Sequence, residues 1–112
     1  MNNYTLILNN LSHNGTTIKV DLLSTKKAAL ILRAVNHKLR QQMLRLIDEH
    51  GKMTVTELYL KLRLEQSVAS QHLAILRKAA LVKTDRNGKF IYYSINTTRL
   101  EEINEFVKNL LN

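Results

Sequence analysis

The chain contains no cysteine, so disulfides, thiolate metal sites, thiol redox sensing and cysteine nucleophiles are all excluded. Proline is also absent. Without that helix breaker long helices are allowed, and turns fall to three glycines and to Asn and Asp. There is no apolar run near the roughly 18 residues that suggest a membrane span. The start, MNNYTLILNN, lacks the basic segment and small-residue cleavage site of a secretory signal, so a soluble, cytoplasmic protein is expected.

At 112 residues the chain has the size of one domain, with 45% apolar residues to build a single core. Its formal charge is +8 and its pI is near 10.0, a balance that favours a polyanionic partner. The charge is uneven. From Lys61 to Lys89 seven bases (Lys61, Arg63, Arg77, Lys78, Lys83, Arg86, Lys89) stand against Glu65 and Asp85. From Asn96 onward Glu101, Glu102 and Glu105 stand against Arg99 and Lys108. One face is expected to meet phosphate and another not.

The first 20 residues read as an N-terminal extension in which YTLIL and TTIKV flank a turn-prone NNLSHNG, consistent with a hairpin or with a tail that orders on a partner. Residues 21–112 read as one helical domain. Ser24 or Thr25 can cap a helix to about Val35. Leu39, Met43, Leu46 and Ile47 form the stripe of a second helix, which Gly51 ends. Thr54 and Glu57 have capping-box spacing before a short third helix carrying Leu58 and Leu62. In the fourth, Ala69, Leu73, Leu76 and Ala80 form the buried stripe. The opposite edge carries Gln66, Ser67, Ser70, Gln71 and Ala74, donor-acceptor side chains of the kind that read base edges in a major groove.

Beyond Leu81 the period changes to two. VKT and FIYYSI flank DRNGK, and Asn87-Gly88 signals a tight hairpin with positive φ at both central residues. Lys83, Arg86, Asn87 and Lys89 lie on or beside its tip, within reach of a phosphate backbone. Thr98 and Glu101 repeat the capping-box spacing and open a last helix with Leu100, Ile103, Phe106, Val107, Leu110 and Leu111, more apolar surface than a small monomer needs. The expected fold is mainly α with a small β-hairpin wing, a winged helix-turn-helix. Gln66, Ser67, Val68, Ser70 and Gln71 are the candidate base-reading set, and Arg63 with the wing residues the backbone set.

Residues 34–96, above all QSVASQHLAILRKAALV followed by GKFIYYSI, resemble the ArsR/SmtB family of small bacterial winged-helix repressors. The resemblance implies a homodimer on a palindromic double-stranded DNA operator, with the first and last helices at the subunit contact. That assigns Ile31, Leu100, Ile103, Phe106, Val107, Leu110 and Leu111 to the dimer interface. It also shows departures. Many members sense metal through two cysteines where this chain has Thr54 and Thr56, and hydroxyls are poor ligands for such metals. Other members use His and carboxylates on the last helix, and residues 97–112 contain no histidine. Where the family often has Arg within a Ser-x-His-Leu pattern, Gln71 stands, which favours adenine over guanine. The family's glycine before the wing is Ala80, and Glu65 replaces a more usual Ser.

His72 reads as a partly buried, hydrogen-bonded structural residue. His13, His37 and His50 are scattered, and Asp48, Glu49 and His50 point in different directions on a helix end. No nucleophile-base pair, phosphate loop, metal motif or cofactor site can be assembled, so no enzyme is expected, and no residue set identifies an effector. A second reading of the same pattern is a winged-helix protein-interaction module that does not bind DNA.

Overall fold

The computed structural model describes residues 4–10 and 14–112; of the turn expected at NNLSHNG, residues 11–13, His13 among them, lie outside it. The chain divides into two compact units, Met1–Leu32 and Arg33–Asn112. In the first, strand β1 (Thr5–Leu8) pairs antiparallel with β2 (Ile18–Asp21), Leu8 opposite Ile18, and helix α1 (Leu22–Val35) follows directly. The cap is Asp21, in place of the expected Ser24 or Thr25. Its Oδ1 accepts from the Leu23 and Ser24 N–H groups at 3.0 and 3.1 Å, and its Oδ2 from the Ser24 hydroxyl at 2.8 Å. A carboxylate accepts more strongly than a hydroxyl and opposes the positive end of the helix dipole, so Ser24 and Thr25 become first-turn residues. Those bonds, led by the Ser24 N–H, lower the Asp21 pKa.

The second unit holds α2 (Lys38–His50), β3 (Met53–Thr54), α3 (Val55–Leu62), α4 (Gln66–Lys78), β4 (Val82–Asn87), β5 (Phe90–Ile95) and α5 (Thr97–Leu111). Its core is formed by Met43, Ile47, Met53, Leu58, Leu73, Leu76 and Leu81, all fully buried. Each such side chain contributes about 1.5–3 kcal/mol relative to exposure. Gly51, at φ 80°, ends α2 as its sequence position predicts. The capping box also forms: Thr54 Oγ1 accepts from the Glu57 N–H at 3.2 Å, and Glu57 Oε1 accepts from the Thr54 N–H at 3.0 Å. Strand β3 is an element that the sequence pattern does not predict. Met53 and Thr54 pair with Tyr93 and Tyr92, giving a three-stranded sheet ordered β3-β5-β4, and two residues are too few to show a period.

A buried guanidinium holds the entry to α2. Arg40, 6% exposed, donates from Nε to the Ala34 carbonyl at 2.8 Å and from Nη2 to the Arg33 carbonyl at 3.0 Å, while Gln41 Nε2 donates to the Val35 carbonyl at 2.9 Å. These are last-turn carbonyls of α1, which a helix cannot satisfy internally. The third arm, Nη1, lies 3.2 Å from Nδ1 of His72 on α4. A guanidinium only donates, so Nδ1 accepts and the ring is neutral with its proton on Nε2. His37 approaches the same ring at 4.9 Å between centroids. Burial first, then His37 and Arg40, push the His72 pKa below its ordinary 6.5.

The exit from α4 is a left-handed turn. Ala80 has left the helix, where it was expected to extend the buried stripe, and takes φ +61°. The Ala80 N–H donates to the Arg77 carbonyl and the Leu81 N–H to the Leu76 carbonyl, both at 2.9 Å, the bond pair of a Schellman motif usually built on glycine. The start of α5 clamps it. Asn96 Nδ2 donates to the Ala80 carbonyl at 2.9 Å, the Asn96 N–H to the Leu81 carbonyl at 3.0 Å, and Arg99 Nε to the Ala79 carbonyl at 3.2 Å. Asn96 thereby becomes the α5 cap, its Oδ1 accepting from the Arg99 N–H at 3.3 Å, and the capping box expected at Thr98 and Glu101 does not form.

An L-residue in the left-handed region costs about 1–2 kcal/mol. Ala80→Gly is therefore expected to raise the denaturant midpoint by an increment worth about 1 kcal/mol, and Ala80→Val to lower it. A second expectation concerns pH. Because the folded-state pKa of His72 lies below the unfolded value, full stability is present above pH 6.5. It declines as the pH falls below that value, where the unfolded chain takes up a proton that the folded chain resists. Unfolding titrations between about pH 8 and about pH 5 measure the decline, and His72→Gln should flatten it.

Candidate nucleic-acid interface

Helices α3 and α4 are joined by three residues. Arg63 ends α3 at φ +55°, with the Leu64 N–H donating to the Tyr59 carbonyl at 2.9 Å. This second left-handed turn, again without glycine, sends α4 off at an angle instead of continuing α3. On α4, Ala69, Leu73 and Leu76 are buried and fix the helix rotation, so Gln66, Ser67, Ser70, Gln71 and Ala74 are exposed along the opposite edge. Val68 is half-buried. Glu65 at the N-cap makes no side-chain capping bond. The first-turn N–H groups of α4 therefore lack a side-chain acceptor and favour an external one.

The wing differs in its turn. Asn87 is the last residue of β4 and pairs with Phe90, leaving Gly88-Lys89 as the two-residue loop. Of the two only Gly88 has positive φ, +66°, the type II′ arrangement, so the expected Asn87-Gly88 turn is shifted by one residue. Arg63, Lys83, Arg86, Asn87 and Lys89 are all exposed. Alternation divides the wing cations. Lys83 and Asn87 share a face with Asp85, Phe90 and Tyr92, whereas Arg86 lies on the face of Thr84, Ile91 and Tyr93. Lys89, in the loop, places its ammonium 5.4 Å from the Phe90 ring centroid.

The two faces border different grooves. Tyr93 lines one with Val55, Ser70, Ala74, Arg77 and Lys78, a set with two cations and no acid. Tyr92 and Phe90 line the other with His50, Lys52, Thr54, Thr56 and Glu57, and there the Lys52 ammonium lies 4.7 Å from the Tyr92 ring centroid. Arg77 and Lys78 belong to the basic stretch from Lys61 to Lys89 but stand outside the site expected from the sequence. The signal was available: from Ser70 they are seven and eight residues on, the spacing that continues Ser70 and Ala74 along one helix face. The groove beside the recognition-type helix is therefore more basic than the candidate set implied.

Thr54 and Thr56 are not equivalent. Thr54 is buried and committed to the capping box, while Thr56 is exposed. Among the described residues no group of three or more His, Cys, Asp or Glu side chains could hold a metal ion. Of the residues assigned to a dimer contact, Ile31 on α1 is half-buried, and α5 has no buried residue. On α5, Leu100, Ile103 and Val107 are half-buried, and Phe106, Leu110 and Leu111 are 47%, 64% and 78% exposed. Among the described residues no helix is long and apolar enough to cross a membrane.

Residues 37–84 match the family model described as "Bacterial regulatory protein, arsR family". The chain is 35% identical over 85 residues to the transcriptional repressor PagR of Bacillus anthracis, covering 76% of this chain and 85% of PagR. Over 82 residues it is 32% identical to the transcriptional repressor SdpR of Bacillus subtilis, covering 73% of this chain and 90% of SdpR. Its fold is similar to that of HlyU from Vibrio cholerae, with a TM-score of 0.61 and 32% identity over 78% of this chain and 94% of that one. The matched region contains α2, α3, α4 and the start of β4.

The geometry at Arg63 gives a test of the turn. Arg63→Gly removes a left-handed L-residue and is expected to stabilise the fold by about 1 kcal/mol in chemical denaturation. Any loss of anion affinity in that variant then reports the missing cation and not unfolding.

Proposed function

The chain belongs to the arsR family of bacterial regulatory proteins, and from that premise we propose that it is a dimeric, sequence-specific repressor that reads a palindromic DNA operator with α4. It is a transcriptional regulator by family and not an enzyme. The observation that carries the proposal is the uncovered edge of α4: Gln66, Ser67, Ser70 and Gln71 are all exposed while the opposite stripe is locked in the core.

In this reading α4 enters the major groove. Gln66 and Gln71 offer the paired donor and acceptor that match adenine, Ser67 and Ser70 supply single hydrogen bonds, and half-buried Val68 supports them from the shoulder of the helix. Arg77 and Lys78 at the far end of the same face, with Arg86 on the sheet face of Tyr93, meet phosphates on one side of the helix. Arg63, Lys83, Asn87 and Lys89 meet the backbone elsewhere, fixing register without reading sequence. Two copies would read half-sites about one helical turn apart. The apolar stripe of α5 (Leu100, Ile103, Phe106, Val107, Leu110, Leu111), with Ile31 of α1, supports a subunit seam, since none of its residues is fully buried and Phe106, Leu110 and Leu111 are exposed.

Selection from a random duplex pool should recover a palindrome, and affinity for it should fall with salt by about 0.9 log units per neutralised phosphate. Alanine at Lys83, Arg86 and Lys89 together should weaken binding to every sequence and flatten that slope. Gln71→Ala should instead cost about 1–3 kcal/mol on the preferred duplex and relax choice at one base pair. An affinity that does not change with salt would refute the mechanism.

A further inference from the structure

Cross-strand partners share a face, so Leu6, Leu8, Ile18 and Val20 lie together on one side of the β1–β2 hairpin, and Thr5, Ile7, Lys19 and Asp21 on the other. On the apolar side Leu6 is 42% exposed and Leu8 and Ile18 are each 41% exposed. A two-stranded hairpin is marginal in water unless its apolar face is covered. Among the described residues none before Ala34 is buried, so no described residue of the Met1–Leu32 unit supplies that cover.

We propose that the cover is a second copy of the chain. The hairpin is an arm that lies on the twin's α5 and extends the subunit seam, an inference that rests on the dimeric reading above. Continuity supports it, because Asp21 both ends β2 and caps α1, joining arm to helix with no linker, and α1 carries the further exposed apolar side chains Leu22, Leu23 and Leu30. Distribution supports it too. Of the fifteen large exposed hydrophobic residues among the described ones, eight lie in the first unit and three, Phe106, Leu110 and Leu111, on α5.

Charge chooses α5 as the surface met. Between residues 4 and 32 Lys19, Lys26 and Lys27 stand against one acid, Asp21, whose carboxylate is engaged at the α1 cap. On α5 Glu101, Glu102 and Glu105 are exposed against one exposed cation, Lys108, and Arg99 is turned back to the Ala79 carbonyl. The hairpin's own charges, Lys19 and Asp21, cancel, so it is Lys26 and Lys27 of α1 that give the first unit its positive balance toward an acidic apolar helix, whereas two first units meeting each other would bring like charges together.

Two measurements on the full chain test the arm. Sedimentation equilibrium compares the wild type with a variant carrying Leu6→Ser, Leu8→Ser and Ile18→Ser. The expected result is a wild-type dimer and a dimer dissociation constant raised about tenfold or more in the variant. An unchanged constant overturns the arm and leaves the dimer standing; a wild type that sediments as a monomer overturns both. In the second measurement p-benzoylphenylalanine replaces Leu8 and the protein is irradiated. Crosslinks joining two chains, mapped to the segment from Leu100 to Leu111, are expected. Crosslinks confined to one chain, or absent, overturn the arm even where the serine variant fails to fold.

Discussion

The left-handed turn at Ala80 sets the direction in which the wing leaves α4, and the rest of the second unit depends on its being held. An alanine does not favour that conformation, so the surroundings must impose it. They do so through three successive carbonyls, those of Ala79, Ala80 and Leu81, each accepting a hydrogen bond from Asn96 or Arg99. Those donors return only after the whole hairpin has been traversed. The turn, the wing and the first residues of α5 are therefore one cooperative construction: Asn96 can cap α5 and hold the turn together only if β4 and β5 are in register. Leu81 and Val82, buried just after the turn, bind the base of the wing to the same core that fixes α4.

A second joint meets α4 near its middle, at His72. Arg40 is buried without a carboxylate partner, and its charge is balanced by the carbonyl end of α1 and by the neutral His72 ring. The negative end of a helix dipole suits a cation in this position. The two joints share α4, one through His72 near its middle and one through the Schellman turn at its end. Helix rotation is fixed by Ala69, Leu73 and Leu76, and the exposure of the polar edge follows from that rotation and not from any property of the edge residues themselves.

What the sequence disclosed follows the range of the interactions involved. The capping box of Thr54 and Glu57, the end of α2 at Gly51 and the buried stripe of α4 rest on residues within a turn or two of each other, and local chemistry specifies them. The errors occur where a distant partner decides. Asn96 displaced Thr98 as the α5 cap because its amide reaches Ala80, sixteen residues earlier in the chain. Ala80 reads as helix because it continues the spacing of Ala69, Leu73 and Leu76, and the clamp from Asn96 and Arg99 reveals otherwise. β3 exists because β5 offers Met53 and Thr54 a partner. Asp21 was an error of another kind: the carboxylate lay in plain view one residue before the helix, and charge should have ranked it above Ser24.

The division of the wing cations was legible as well. Lys83 and Arg86 stand three positions apart, an odd number, and in a strand of period two an odd offset puts side chains on opposite faces. The wing is thus not a uniformly basic finger. Its Tyr93 face continues the acid-free groove of Ser70, Arg77 and Lys78 toward Arg86, while its Tyr92 face carries Asp85 beside Lys83 and borders a groove in which Glu57 is also present. An extended polyanion lying along α4 meets the first face with every charge attractive. On the second face it meets mixed charge, and there Lys52 and Lys89 are already engaged with the Tyr92 and Phe90 rings. The asymmetry of charge seen along the chain is in this way repeated across the thickness of a single hairpin, whose acid-free side adjoins the groove lined by Ser70, Ala74, Arg77 and Lys78 of α4.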